Sequence, residues 1–175
     1  MSEARAACLE RARGVLAGLE SDSDTPDSDL RLFHNILEIG GLSLNDLGMT
    51  QGGLRKIVNR CYLAKARRTL EALRAGASGA DDVLTRLRRE LNRANAALEA
   101  IGTSEQELSK IMAEYHLAKA RYALELLTAP EGTSIPEFEL GQITAELKLA
   151  RGSLRDLGIT EQRLTEIMAG YNLVD

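Results

Sequence analysis

The 175-residue chain has no Trp, two Phe, four Tyr and three Pro. Aliphatic side chains and Ala must therefore fill any core, and few positions forbid a helix. Two cysteines, Cys8 and Cys61, are too few for a disulfide framework and stand in no CxxC spacing. A reduced, cytoplasmic setting is the simplest expectation. No window holds the roughly 20 apolar residues of a membrane span, so no membrane partner is expected. Met1 to Leu19 carries Glu3, Arg5, Glu10, Arg11 and Arg13 and lacks the apolar run of a signal peptide. Chemical motifs are missing too. There is no P-loop, no GxSxG, no GxGxxG and no Cys/His set at metal-ligand spacing. The only histidines, His34 and His116, belong to no such set. These absences lead us to expect no enzyme, no cofactor and no metal.

What the chain does contain is repetition. Leu63-Ala64-Lys65-Ala66-Arg67 recurs as Leu117-Ala118-Lys119-Ala120-Arg121, and Leu9-Glu10-Arg11-Ala12-Arg13 stands at the same spacing before them. Three turns match as well: Leu47-Gly48-Met49-Thr50, Ile101-Gly102-Thr103-Ser104 and Leu157-Gly158-Ile159-Thr160. Each reads as a helix–helix joint. The Gly ends one helix in the left-handed conformation, and the Thr or Ser caps the next. Ser104 with Glu107 has the spacing of a capping box.

The segment before each turn carries an apolar stripe of 3-4-3-4-3 spacing. The stripes are Leu30, Phe33, Leu37, Gly40, Leu44, Leu47; Leu84, Leu87, Leu91, Ala94, Leu98, Ile101; and Leu140, Ile143, Leu147, Ala150, Leu154, Leu157. The small fourth residue lets a neighbouring helix approach closely. After each turn the stripe Leu54, Ile57, Val58, Cys61 falls out of phase with Leu63, Ala66, Leu70, Leu73, so a long helix there should bury two different faces. The pattern predicts helices near 3–19, 29–47, 51–75, 81–101, 105–128, 136–157 and 161–173. Asp81 is the expected cap of the fourth, and Pro136 suits the first turn of the sixth.

The expected fold is all-α: about seven helices in tandem antiparallel hairpins of about 54 residues, solenoid-like or bundled. It spans residues 1–175 as one domain, with repeats at about 8–61, 62–115 and 116–171. The third stops half a repeat short, which reads as a terminal cap or an end open to a second copy.

Charge is uneven although the net is only −4. Residues 55–93 hold eleven basic side chains against four acidic ones, and Glu20, Asp22, Asp24, Asp27 and Asp29 crowd one loop. Lys65, Arg67, Arg68, Lys119, Arg121 and Arg13 form a ladder of cations that suits an acidic partner. Against this stands the common case of solvated charges paired along a helix, as Arg67 with Glu71. Tyr62 and Tyr122 lie off the repeated aromatic slot and are candidate anchors, with ordinary packing as the rival account.

These features favour a non-catalytic helical-repeat module, adaptor or regulator, that binds a protein partner or a second copy of itself. The alternative is a nucleic-acid-associated regulator using the basic segment 55–93, although aromatic stacking platforms are missing. A third reading is a small-ligand sensor with an interhelical pocket at Gly40, Ala94 or Ala150.

Overall fold

The structure, a computed structural model, describes residues 3–129 and 135–171. Among them are seven α-helices and no strand. The helices are α1 (Glu3–Glu20), α2 (Pro26–Gly40), α3 (Gln51–Arg74), α4 (Ala80–Ala94), α5 (Glu105–Thr128), α6 (Pro136–Ala150) and α7 (Glu161–Gly170). Short 3-10 turns at Leu44–Leu47, Leu98–Ile101 and Leu154–Leu157 lead into α3, α5 and α7. No described helix is long and apolar enough to cross a membrane.

The joints follow the sequence closely. Gly48, Gly102 and Gly158 take φ of 67°, 76° and 78°, where a Cβ would be strained. Thr50, Ser104 and Thr160 each cap the following helix by accepting from the amide three residues on. Pro136 opens α6 as expected, and Pro26 opens α2 three residues earlier than predicted.

Two expectations need correction. The helices before the joints do not run through to Leu47, Ile101 and Leu157. Each stops at the small residue, and the next residue is left-handed: Gly41, Asn95 or Arg151. Paired amide bonds then close the end, Leu42 N to Leu37 O being one at 2.8 Å. The apolar stripe survives the break because a 3-10 turn also presents residues three apart, such as Leu44 and Leu47, on one side. Asp81 lies inside the first turn of α4, and the cap position is Gly79 at φ 72°. Local Ser–Asp bonding occurs at Ser43–Asp46 and Ser153–Asp156, where Ser N and Oγ both donate to the carboxylate. The predicted extension of α7 to 173 and most of the 129–135 loop lie outside the described residues.

The chain divides into two compact units, one ending at Thr103 and the other beginning at Ser104. In the first, α1 packs on α2 and α3 on α4. Phe33, fully buried, gathers Ala12, Leu16, Ile36, Leu37 and Leu54 into one cluster from three helices. Gly40 is needed there: a Cβ would lie 2.7 Å from the Cβ of Cys8 on α1. The long helix α3 does bury two faces. Leu54 joins the first hairpin's core, whereas Leu70 and Leu73 are buried farther along the helix. In the second unit α5 packs on α6 around Ala120, Ala123, Leu127, Ile143 and Leu147, and Leu164, Ile167 and Tyr171 close the end.

Candidate functional site

In the first unit the basic residues of α3 and α4 meet the acidic loop between α1 and α2. Lys65 Nζ donates to Asp24 O at 2.9 Å, and Arg68 pairs with Asp24 at 2.7 Å. Arg60 pairs with Asp22 at 3.3 Å. Tyr62 is 5% exposed and donates its hydroxyl to Asp27, which also receives Arg93. The Arg93 guanidinium lies 5.5 Å from the Tyr62 ring centroid. Burial pushes the Tyr62 phenol up, with Cys61 a smaller cause, so the hydroxyl stays a donor. Burial likewise raises the Cys61 thiol, which donates to Leu19 O at 2.9 Å. Most of these ion pairs are half-exposed, so each contributes little alone, yet together they fix the loop against the second hairpin. Arg55, Lys56, Arg86 and Arg89 remain on the exposed surface.

Two members of the cationic ladder close the joints. Arg67 Nη2 donates to Ala100 O at 3.2 Å, and Arg121 Nη2 to Asp156 O at 3.1 Å. Both carbonyls belong to 3-10 turns, whose ends leave acceptors unsatisfied. Arg13 is exposed on α1, and Tyr122 is 60% exposed on α5. Lys65, Arg68 and Tyr62 are thus brought together at the acidic loop, and Lys119 and Arg121 reach different parts of the second unit.

Sequence reading missed a buried polar cluster in that unit. Glu146, 6% exposed, faces α5 and accepts from Lys119 and from His116, whose Nδ1 lies 2.7 Å away. His116 is itself 4% exposed, and Lys119 stands 5.4 Å from the Tyr115 ring centroid. Burial alone would push the Glu146 carboxyl up. Hydrogen bonds from Lys119 and His116 outweigh it and hold the group below the usual carboxylate range. Glu90, the eleventh residue of α4 as Glu146 is of α6, accepts from buried Thr69 at 2.7 Å.

The Ser43 and Ser153 amides hold Asp46 and Asp156 low as well, with help from the serine hydroxyls. For all three carboxylates the folded state favours ionisation. Their contribution is complete above the ordinary carboxylate pKa of about 4 and is lost as pH falls through it. The thermal midpoint followed by circular dichroism should therefore drop between about pH 5 and pH 3. Glu146→Gln should make that drop shallower; parallel curves would show that Glu146 contributes nothing.

Glu139 is the one described glutamate with an orphaned oxygen. It is 5% exposed, and its Oε2 has no partner. It is the fourth residue of α6, where α4 has buried Val83. Glu139→Val should stabilise the protein by about 1 kcal/mol: relief of the unpaired polar atom, offset in part by loss of an acid near a helix N-terminus. Urea denaturation measures this, and a lower midpoint would contradict it.

The outward stripe of α6 is apolar. Phe138 and Leu149 are 66% and 60% exposed, with Gln142 and Ala145 between them on the same face, and Ile135, extended just before the helix, is 68% exposed. At the third, seventh, tenth and fourteenth positions of α4 stand Asp82, Arg86, Arg89 and Arg93 instead. A cleft of about 590 Å³ lies at the last joint, lined by Ser153, Leu154, Arg155, Ile159, Thr160, Glu161 and Gln162. The small residues expected to line a pocket are packed: Gly40 against Cys8, with Ala94 and Ala150 buried. Among the described residues no group of His, Cys, Asp and Glu could hold a metal ion. The chain matches no family model, no curated protein and no solved structure.

Proposed function

We propose that the chain is a tandem helical-hairpin repeat protein whose work is to bind another protein without catalysing a reaction. The repeat part of this reading is supported by local geometry that recurs in order. Fifteen-residue helices α2, α4 and α6 each end in a left-handed residue, pass through a four-residue 3-10 turn and enter a capped helix. The free thiols of Cys8 and Cys61 fit a reducing, cytoplasmic setting.

The observation that carries the binding function is the uncharged, exposed stripe of α6. Large apolar side chains are left in water only at a cost, and clustered on one helix face they mark a contact surface. A photo-crosslinking residue placed at Leu149 in the full chain, in cells, tests the reading. A protein adduct, with this chain or another, is expected at 149 and not at Arg13. Absence of any adduct at 149 would overturn it.

The exposed Arg55, Lys56, Arg86 and Arg89 keep a nucleic-acid role as second reading. It requires binding that weakens steeply with salt, and salt-independent or absent binding removes it.

A further inference from the structure

The outward face of α6 has the spacing of an unpartnered coiled-coil seam. Phe138, Gln142, Ala145 and Leu149 follow one another at intervals of 4, 3 and 4, the a/d pattern of helices packed nearly in line, and Ile135 stands exposed in extended backbone just before the helix. No charge interrupts it. The corresponding face of α4 is charged throughout, with Arg93 engaged by Asp27 and Tyr62. Among the described residues the α6 seam has no such cover: Phe138 and Leu149 are 66% and 60% exposed.

The seam is also near-palindromic about Gln142. An antiparallel copy centred there sets Phe138 against Ala145, a large side chain against a small one, and brings Leu149 to the start of the other helix, beside Ile135. A parallel copy would instead crowd Phe138 on Phe138 and leave a gap at Ala145. Charge agrees with the antiparallel choice. Glu137 in the first turn and Lys148 in the last lie on the outer flank of the seam, both exposed. Antiparallel pairing brings Glu137 of each copy beside Lys148 of the other, twice per dimer.

We propose that the outward face of α6 is a homodimer interface, occupied by the same face of a second copy in antiparallel register about Gln142. This rests on the binding role proposed above and names its partner. A 15-residue helix is only about 22 Å long, so the buried face falls toward the small end of specific interfaces. A weak, transient contact is expected, with a dissociation constant on the order of 1–50 µM.

Sedimentation equilibrium of the purified full chain across that range is the test. Dimer is expected, and the double variant Phe138→Glu, Leu149→Glu should weaken it about 100-fold while circular dichroism keeps its helical signal. Gln142→Leu should tighten it about 10-fold, since a polar residue at a central seam position lowers stability. Gln142→Cys should oxidise to a covalent dimer, and Thr144→Cys, off the seam, should not. A chain that stays monomeric, or whose dimer ignores these variants, overturns the proposal. If the Leu149 crosslink then captures a different protein, the binding function stands without the homodimer. If it captures nothing, both fall.

Discussion

Glu146→Ala is expected to destabilise the protein by about 3 kcal/mol, read as a lower urea midpoint by far-UV circular dichroism. The carboxylate is almost wholly removed from water and spends both oxygens on α5, one on Lys119 and one on His116. Truncation leaves the buried Nδ1 of His116 without its carboxylate and opens a gap between α5 and α6. Lys119 suffers less because its side chain is 38% exposed and its amine can turn to water. The pair need not be a net source of stability, because desolvation of a buried ion pair offsets much of its attraction. A replacement that removes both partners should therefore recover most of the loss. The first hairpin points to one: the eleventh residue of α2, where α6 has Glu146, is buried Ile36. Glu146→Ile with His116→Leu should come within about 1 kcal/mol of the parent. If the double variant is as unstable as Glu146→Ala, loss of packing volume rather than the abandoned partner sets the cost.

This cluster also marks the limit of what the sequence could disclose. The joints were legible because their chemistry is local. Gly48, Gly102 and Gly158 need a left-handed backbone, and Thr50, Ser104 and Thr160 stand within three residues of the amides they cap. The helix ends at Gly40, Ala94 and Ala150 were not. Gly41 signals a stop, but Asn95 does so weakly and Arg151 not at all, and the 3-10 turns continue the apolar spacing. Contacts between distant segments were half legible. The acidic loop and the basic segment each stood out, yet nothing local says that Asp24 receives Lys65 and Arg68, some forty residues away. Glu146 and His116 are thirty apart and carry no motif. The α6 seam shows why one helix can hide two messages. The stripe Leu140, Ile143, Leu147, Ala150 is the stronger signal and builds the core. Phe138, Gln142, Ala145 and Leu149 repeat the same spacing nearly half a turn away, and only their exposure reveals that they face outward.

The largest single loss in the first unit should come from Phe33→Ala, at about 4 kcal/mol. A chain with two Phe and no Trp has few ways to span a wide gap, and Phe33 is placed where three helices converge. Its ring is fully buried against Ala12 and Leu16 of α1, Ile36 and Leu37 of α2 and Leu54 of α3. Two features nearby constrain relaxation. Ala12 is already small and cannot extend into the void. Close approach at Gly40, where α1 meets α2 without room for a Cβ, fixes the helix separation nearby. The cavity should therefore persist rather than collapse, which keeps the cost off the lower end of the range for Phe truncation. Phe33→Leu should lose only about 1–1.5 kcal/mol, since α4 carries buried Leu87 as its eighth residue, where α2 has Phe33. The urea midpoint should fall in the order parent, Leu, Ala with an unchanged denaturant slope. If the two variants lose equal stability, Phe33 acts through some property of its ring rather than through the volume it fills, and the three-helix convergence is not what holds the first unit together.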